Sequence, residues 1–379
     1  MNLPEFALER YFARYEFDVP YLLSSSDIEP YRLAELLELA DEEGRELWEG
    51  LSLGYTESAG HPLLRAEIAG MYEEAEAEPD DVLVFAGAEE AIFAYMNVVL
   101  GAGDHAVATW PAYQSLHEVA RSAGAEVTPF PLRHEEGWRL DLEKLHGNAG
   151  GSTDAIVVNF PHNPTGALPD RAVFEEIVEL ARASGARLFS DEVYRLLEHD
   201  PADRLPAAAD LYEGAASLGV MSKAFALAGL RIGWIYTRDR DLLQRLAAFK
   251  DYTTICNSAP SEVLSLIALR ACDAVLGRNL RIISENLRHA DRFFEEWEDT
   301  AEWVRPRVGC IGFPRLLRGP PTERLAAGLA EAEGVMLLPG EVYGHPGHFR
   351  LGLGRRDFPE ALERLERFFE RTLRTGGGI

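Results

Sequence analysis

The chain has 379 residues, a mass of 42.1 kDa and a formal net charge of −26, with 47% apolar and 26% charged residues. These values are ordinary for a globular protein large enough for two domains. The negative charge argues against nucleic acid or an anionic membrane as a partner, because both are bound through clustered lysine and arginine. The sequence contains no apolar run of about 18 residues that could span a bilayer, and its amino terminus does not resemble a secretory signal.

Short apolar runs alternate with helical patterns along the middle of the chain. The predicted strands are, in chain order, 82–87, 105–110, 126–130, 154–160, 187–191, 217–222 and 233–237. Between them, apolar residues recur at helical spacing in segments such as 89–100, 113–124 and 171–185, and glycine often follows the last turn. This alternation predicts an α/β fold with a mainly parallel, seven-stranded sheet and helices on both faces. Ligands of such sheets bind outside the carboxyl ends of the strands.

The pattern changes from about residue 275 onward. Two amphipathic helices, predicted within 285–299 and 359–374, flank short strand-like pieces. These pieces are 308–317, 334–340 and 348–354. We interpret residues 276–379 as a smaller α+β domain that is joined by the amino-terminal segment 1–45, with residues 46–275 forming the large domain. The terminal TGGGI is expected to fray.

The cysteines and lysines are few and informative. Cys256, Cys272 and Cys310 are widely spaced and odd in number, which predicts structural thiols in a reducing cytoplasm and no disulfide framework. The chain has only three lysines, and Lys223 is the one that follows a predicted strand. Lysine, unlike arginine, can lose its proton near neutral pH and attack a carbonyl carbon. Lys223 is therefore a candidate nucleophile.

Other reactive side chains follow neighbouring strands. Asp191 ends the strand 187–191, with Tyr194 close behind it, and Asn163 lies in the turn after 154–160. The segment Gly87-Ala88-Glu89 opens a helix, whose first N–H groups can bind a phosphate. One edge of the sheet thus gathers an amine, a carboxylate, a phenol, an amide and an anion site.

Pyridoxal phosphate is the cofactor that requires all five groups. Its aldehyde forms a Schiff base with lysine, and its ring accepts electrons best when a carboxylate keeps the ring nitrogen protonated. Its phosphate needs a helix terminus and a cation. Arg231, eight residues after Lys223, is placed to supply that cation.

The segment SKAFALAGLRIGW, which contains Lys223, resembles the cofactor-lysine motif of the class I and II aminotransferase family, enzymes of fold type I. The motifs YTESAGHPLLRAEIA, GAEEAI, NFPHNPTG and SDEVY occur in the order of that family, and the resemblance extends from Tyr55 to Arg350. It implies a pyridoxal phosphate-dependent aminotransferase that exchanges an amino group between an amino acid and a 2-oxo acid.

The resemblance also implies roles for individual residues. Lys223 forms the Schiff base and moves the proton at Cα. Asp191 pairs with the ring nitrogen. Tyr194 and Asn163 bind the phenolic oxygen, and Tyr113 stacks on the ring.

The remaining implied contacts involve the phosphate and the substrate. The phosphate contacts are Ala88, Glu89, Ser222 and Arg231. Tyr55 reaches the phosphate of the neighbouring subunit, so the active unit is expected to be a homodimer. Arg350, with Asn163 beside it, binds the substrate's α-carboxylate, a bidentate task suited to guanidinium.

Three departures from the family pattern leave the substrate class open. Val220 replaces a hydroxyl that commonly binds the phosphate, Ala226 replaces a glycine, and the segment LLSSSDIEPY lacks the glycine found in many aspartate and aromatic aminotransferases. An elimination, replacement or cyclisation of an unusual amino acid is therefore a second hypothesis. A ligand sensor without catalysis is a third, which the acidic charge and the lack of a basic helix-turn-helix disfavour.

Several residues also have simpler interpretations. Asp191 could cap the next helix, Tyr113 could be a core residue, and Arg350 could form a surface ion pair. Ser52, in GLSLG, does not lie between a strand and a helix as a hydrolase nucleophile would. The segment HPGH (345–348) has two histidines but no further metal-ligand pattern, so no metal is expected; His162 is left without a role.

Overall fold

A computed structural model describes residues 2–72, 74–148 and 153–374, so the TGGGI terminus lies outside the described residues. The α-helices of the described chain are α1 (Ala7–Tyr15), α2 (Leu33–Glu38), α3 (Glu42–Glu49), α4 (Pro62–Ala69), α5 (Ala88–Val99), α6 (Ser115–Ala123), α7 (Leu142–Asn148), α8 (Arg171–Ser184), α9 (Ala208–Leu211), α10 (Arg240–Lys250), α11 (Ala259–Arg270), α12 (Cys272–Glu296), α13 (Thr322–Glu333) and α14 (Phe358–Phe369). None of them is both long enough and apolar enough to cross a membrane.

The strands range from two to six residues in length. They are β1 (Tyr21–Leu22), β2 (Val82–Phe85), β3 (His105–Trp110), β4 (Glu126–Pro131), β5 (Ala155–Asn159), β6 (Arg187–Asp191), β7 (Ala215–Val220), β8 (Gly233–Tyr236), β9 (Ala301–Glu302), β10 (Ile311–Gly312), β11 (Arg315–Leu316), β12 (Val335–Met336), β13 (Leu338–Pro339) and β14 (Phe349–Gly352).

The main sheet has seven strands in the order β2-β8-β7-β6-β5-β3-β4. Strand β8 runs antiparallel to both of its neighbours, and the other pairs are parallel. The predicted seven-stranded, mainly parallel sheet is confirmed. The register places Asn159, the last residue of β5, opposite Asp191, the last residue of β6. The polar residues that follow these strands therefore meet at one edge.

Both faces of this sheet are buried, which explains why its strands are apolar without interruption. Successive residues of a strand point to opposite faces. Accordingly, Ile156 and Val158 of β5 belong to one apolar cluster, while Ala155 and Val157 belong to another. All four side chains are at most 2% exposed. The helices that cover the two faces hold the strand ends in fixed positions.

Two of the predicted helices end where glycine permits a left-handed turn. Helix α6 ends before Gly124 at φ 110°, and α8 ends before Gly185 at φ 75°. The prediction for 285–299 was too short at its start, because α12 begins at Cys272. Gly277 lies inside α12, where a Cβ would meet no atom within 4 Å beyond its own helix backbone. Because glycine has a low helix propensity, its presence weakened the helical signal of the sequence before residue 285.

The amino-terminal segment pairs with the end of the chain. Strand β1 is parallel to β12, while β10, β14 and β13 form an antiparallel sheet and β9 pairs with β11. The Ser24 hydroxyl donates to the Arg350 carbonyl at 2.7 Å. We propose on this basis that residues 1–45 and 276–379 form the smaller domain and residues 46–275 the large one.

Candidate active site

A cavity of about 380 Å³ lies at the carboxyl ends of β5, β6 and β7. Ten of the predicted site residues line it: Ala88, Glu89, Tyr113, Asn163, Asp191, Tyr194, Ser222, Lys223, Arg231 and Arg350. Tyr55 does not line it. The strand ends therefore bring together residues that are up to 262 positions apart, from Ala88 to Arg350.

Lys223 follows β7 and presents its amine to the cavity. Its Nζ donates a hydrogen bond to the Ser26 hydroxyl at 3.0 Å and lies 5.4 Å from the centre of the Tyr194 ring. Burial lowers the pKa of the Lys223 ammonium below its ordinary value. A larger share of this lysine is therefore neutral, and able to act as a nucleophile or base, than of an exposed lysine.

Asp191 is a buried carboxylate on which the nearby charge of Lys223 acts without an ion pair between the two residues. Its side chain accepts the backbone N–H of Val193 at 3.2 Å, and among the described residues it forms no ion pair. The residue is 4% exposed, and burial raises the pKa of its carboxyl from 3.8 to about 7. A protonated ring nitrogen in the cavity would supply the missing partner.

Asn159 fixes the neighbouring turn, and the sequence did not single it out. Its Nδ2 donates to the Asp191 carbonyl at 3.0 Å, while its Oδ1 accepts the backbone N–H of Asn163 at 2.7 Å. Both asparagines are buried. This pair holds the strand end that carries Asp191 and the turn that carries Asn163 in one arrangement.

The amino terminus of α5 and Arg231 form a cradle for an anion. The first N–H groups of a helix have no partner within it, and those of Ala88 and Glu89 open α5 beside the cavity. Gly87 has φ 86°, and a Cβ placed there would lie 2.6 Å from Nη2 of Arg231. Arg231 itself has φ 54°, a conformation that costs a residue with a side chain roughly 1–2 kcal/mol. Glycine at 87 thus leaves room for the guanidinium next to the helix terminus.

Arg350 is 1% exposed and incompletely hydrogen-bonded. Its Nε donates to the Ser24 carbonyl at 3.0 Å, and its Nη1 donates to the Tyr343 hydroxyl at 2.5 Å. Its Nη2 is buried and has no hydrogen-bond partner among the described residues. Unsatisfied buried donors are costly, so this nitrogen is available to a hydrogen-bond acceptor in the cavity.

Two of the departures from the family pattern lie at the site. Val220 lines the cavity and offers no hydroxyl to an anion. Ala226 does not line the cavity, and its φ of 57° lies in the left-handed region that favours glycine. Ser26, in the unusual SSSD segment, contacts Lys223 and accepts the Tyr194 hydroxyl at its carbonyl oxygen, at 3.0 Å.

Other predicted residues have different surroundings. Tyr55 is 92% exposed and lies away from the cavity of its own chain. His162 is buried and bonded to the Thr165 hydroxyl at 2.7 Å, and burial lowers the pKa of its imidazole to about 3, so it is a neutral part of the turn. His345 and His348 pack against aromatic rings. The described residues contain no group of three or more potential metal ligands.

The described residues fit pyridoxal phosphate. Lys223 provides the amine, Asp191 the unpaired buried carboxylate, and Gly87 with Arg231 the room and charge for a phosphate. We propose that Tyr113 stacks on the cofactor ring and that Tyr194 and Asn163 bind its phenolic oxygen, since all three line the same cavity.

Asp191 gives the cofactor-free protein a distinctive pH dependence. Between about pH 4 and pH 7 the native protein holds a proton at Asp191 that the unfolded chain has released, so stability falls as pH rises through this window. We expect Asp191→Asn to unfold at a temperature roughly 2–4 °C higher than wild type above pH 7, and at the same temperature near pH 4. Thermal unfolding across this pH range measures the difference.

Added pyridoxal phosphate should change which of these two proteins unfolds at the higher temperature. The cofactor is expected to raise the unfolding temperature of wild type more than that of Asp191→Asn, because only wild type has a carboxylate for the ring nitrogen. An equal gain in both proteins would show that Asp191 does not contact the ring.

Comparison with known proteins agrees with this site. The model of the family "Aminotransferase class I and II" matches residues 30–365. Capreomycidine synthase from Streptomyces vinaceus is 32% identical over 352 residues, 92% of this chain and 89% of its own. The arginine–pyruvate transaminase AruH from Pseudomonas aeruginosa is 31% identical over 326 residues, 82% of this chain and 81% of its own.

A solved structure has nearly the same fold. The crystal structure of the pyridoxal phosphate-dependent cyclase OrfR superposes with a TM-score of 0.89 and 30% identity, and the match covers 98% of both chains. The family match spans most of the chain, and the cavity carries the groups that the cofactor needs. The chain therefore belongs to the class I and II aminotransferase family and is an enzyme whose cofactor is pyridoxal phosphate.

Proposed function

We propose that this enzyme is an aminotransferase that moves the amino group of an amino acid to a 2-oxo acid. One observation carries the proposal: Lys223, Asp191 and Arg350 share a single cavity, in which a buried arginine nitrogen has no hydrogen-bond partner among the described residues. An amine, a carboxylate and a carboxylate-binding guanidinium are the groups that amino-group transfer requires of the protein.

The chain's own residues account for the proton transfers and for orientation. Bound pyridoxal phosphate supplies an electrophilic carbon for amines and a ring that accepts the electron pair released at Cα. The neutral amine of Lys223 would remove the Cα proton, and the same Nζ would later deliver a proton. The Asp191 carboxylate favours positive charge at the ring nitrogen. Arg350 holds the α-carboxylate, which leaves the Cα–H bond directed towards Lys223.

We further propose that the active unit is a homodimer to which Tyr55 contributes across the interface. Leu53 and Tyr55 are 84% and 92% exposed, and Tyr252 and Ile255 are 92% and 51% exposed. The two segments adjoin, because the Ser58 hydroxyl donates to the Ile255 carbonyl at 2.7 Å. Large side chains exposed together are typical of a protein interface.

A half-reaction tests the proposed activity. We expect a suitable amino acid, added alone to the cofactor-loaded enzyme, to change the cofactor's absorption spectrum and to release one equivalent of 2-oxo acid. A different 2-oxo acid should then restore the original spectrum and yield a new amino acid. Absence of both changes with every amino acid tried would contradict the proposal.

Cyclisation of an amino acid is the second candidate. It is favoured by the relatives named capreomycidine synthase and cyclase, which match almost the entire chain. Both reactions begin with loss of the Cα proton to Lys223, so the product distinguishes them. Mass spectrometry of the reaction mixture would show a cyclic amino acid that keeps its nitrogen, with no 2-oxo acid, if cyclisation is the reaction.

A further inference from the structure

Helix α1 forms one wall of the active-site cavity and brings carboxylates into it. Glu9, Phe12 and Glu16 all line the cavity, spaced three and four residues apart. Residues at these spacings share one face of a helix. The Arg350 guanidinium lies 5.6 Å from the centre of the Phe12 ring, so α1 also reaches the residue proposed to bind the substrate's carboxylate.

Glu16 is held in unfavourable surroundings. Its side chain is half-buried, and among the described residues its carboxylate forms no hydrogen bond or ion pair. It lies at the carboxyl end of α1, where the helix dipole disfavours negative charge. Burial, together with the charges of Asp27 and Glu9, raises the pKa of the Glu16 carboxyl. A positively charged ligand would relieve all of these costs.

Asp27 adds a third carboxylate to this wall. It lines the cavity and accepts two hydrogen bonds from Nη2 of Arg355, at 3.0 and 2.9 Å. Among the described residues, Arg355 forms its ion pair with Asp27, and neither Glu9 nor Glu16 forms one. Burial raises the pKa of the Glu16 carboxyl by more than the positive charge of Arg355 lowers it.

The cations that line the cavity already have proposed partners in the cofactor or in the ligand's carboxylate. They are Lys223, Arg231 and Arg350, of which the first two belong to the proposed cofactor site. Arg350 is 1% exposed, and its unpartnered Nη2 is available to the ligand's α-carboxylate. A second carboxylate on the ligand would meet Glu9 and Glu16 instead of a cation. An apolar side chain would remove water from Glu16 without replacing its hydrogen bonds.

We propose that Glu9 and Glu16 bind a cationic side chain, so that the preferred amino donor carries an ammonium or guanidinium group. The donor then spans the cavity, with its α-carboxylate on Arg350 and its side-chain cation on α1. The inference rests on the proposed function, because it concerns the donor of the same reaction.

Neutral analogues of equal shape provide the test. With the cofactor-loaded enzyme, we expect L-arginine to exceed L-citrulline, and L-lysine to exceed L-2-aminoheptanoic acid, by about tenfold or more in kcat/KM of the half-reaction. Glu16→Gln should lower kcat/KM for the cationic donors by about tenfold and change that for the neutral donors by less than about twofold. The control is Asp18→Asn, because Asp18 is an exposed acid just beyond α1 that does not line the cavity. This substitution should leave kcat/KM unchanged for both the cationic and the neutral donors.

Binding measurements separate this inference from the proposed reaction. Calorimetry with the cofactor-loaded wild type should show the same preference for arginine over citrulline, and Glu16→Gln should remove it. Equal binding of the two, or an equal loss for all donors in Glu16→Gln, would overturn the cationic subsite while leaving amino-group transfer intact. Preferential binding of arginine without any release of 2-oxo acid would instead support the subsite and contradict the transfer reaction.

Discussion

Replacing Lys223 with arginine is expected to lower the rate of amino-group transfer by roughly 10²- to 10⁴-fold. The substitution keeps a positive charge and a long side chain next to Ser26, so the hydrogen bond of 3.0 Å can be replaced. A guanidinium stays protonated, however, and can neither attack an electrophilic carbon nor remove the Cα proton. Single-turnover rates of wild type and variant with the same donor measure the loss.

The chain offers a matched control, because its other lysines lie elsewhere. Lys144 is exposed and paired with Asp141 outside the cavity, so Lys144→Arg should keep the wild-type rate. A Lys223→Ala variant should regain part of its activity when methylamine is added, in proportion to its concentration. A wild-type rate in Lys223→Arg, or no rescue of a Lys223→Ala protein that is folded by circular dichroism, would contradict the role of the amine.

The second large effect concerns Arg350. We expect Arg350→Leu to lower kcat/KM for amino acid donors by about 30- to 700-fold, the equivalent of about 2–4 kcal/mol. The guanidinium is 1% exposed, and its Nη2 has no hydrogen-bond partner in the described part of the chain, so a bound α-carboxylate would lose a buried, charged partner. Steady-state kinetics with saturating 2-oxo acid provide the measurement.

A comparison of donors distinguishes loss of the contact between Arg350 and the α-carboxylate from a general loss of folded structure. Wild type should strongly prefer an amino acid to the amine that lacks its carboxylate, whereas Arg350→Leu should accept the two equally. Arg315→Leu is the control, because Arg315 forms an exposed pair with Glu135, and such pairs contribute little to stability. If Arg350→Leu keeps the full preference for the carboxylate, Arg350 does not bind it.

The site residues at the carboxyl ends of the strands could be predicted because each comes at the end of an apolar run in the sequence. Lys223 and Asp191 come directly after apolar runs that only a buried strand explains, and parallel strands bring their carboxyl ends together. The structure places both in one cavity, as expected. The anion cradle could be predicted in the same way, since Gly87 opens a helix directly after β2.

Contacts between distant segments could not be predicted in this way. Ser26 and Tyr343 have no signature of their own, and their roles follow from a tertiary structure that joins β1 to β12. The role of Asn159 follows instead from the register between β5 and β6. The unusual SSSD segment did mark Ser26 as a departure, without indicating its contact with Lys223. The left-handed conformation of Ala226 contradicts its intrinsic preference, so only the surrounding structure explains it.

Helix α1 reaches the active site from the first sixteen residues, whereas the lysine and aspartate stand on the main sheet. The Tyr11 hydroxyl anchors this helix to the Leu337 carbonyl at 2.7 Å. If α1 binds the donor's side chain as proposed, recognition of that side chain and transfer of the Cα proton are encoded in separate stretches of the gene. Exchanging the first sixteen residues between homologues therefore offers a way to change the preferred donor while Lys223 and Asp191 stay the same.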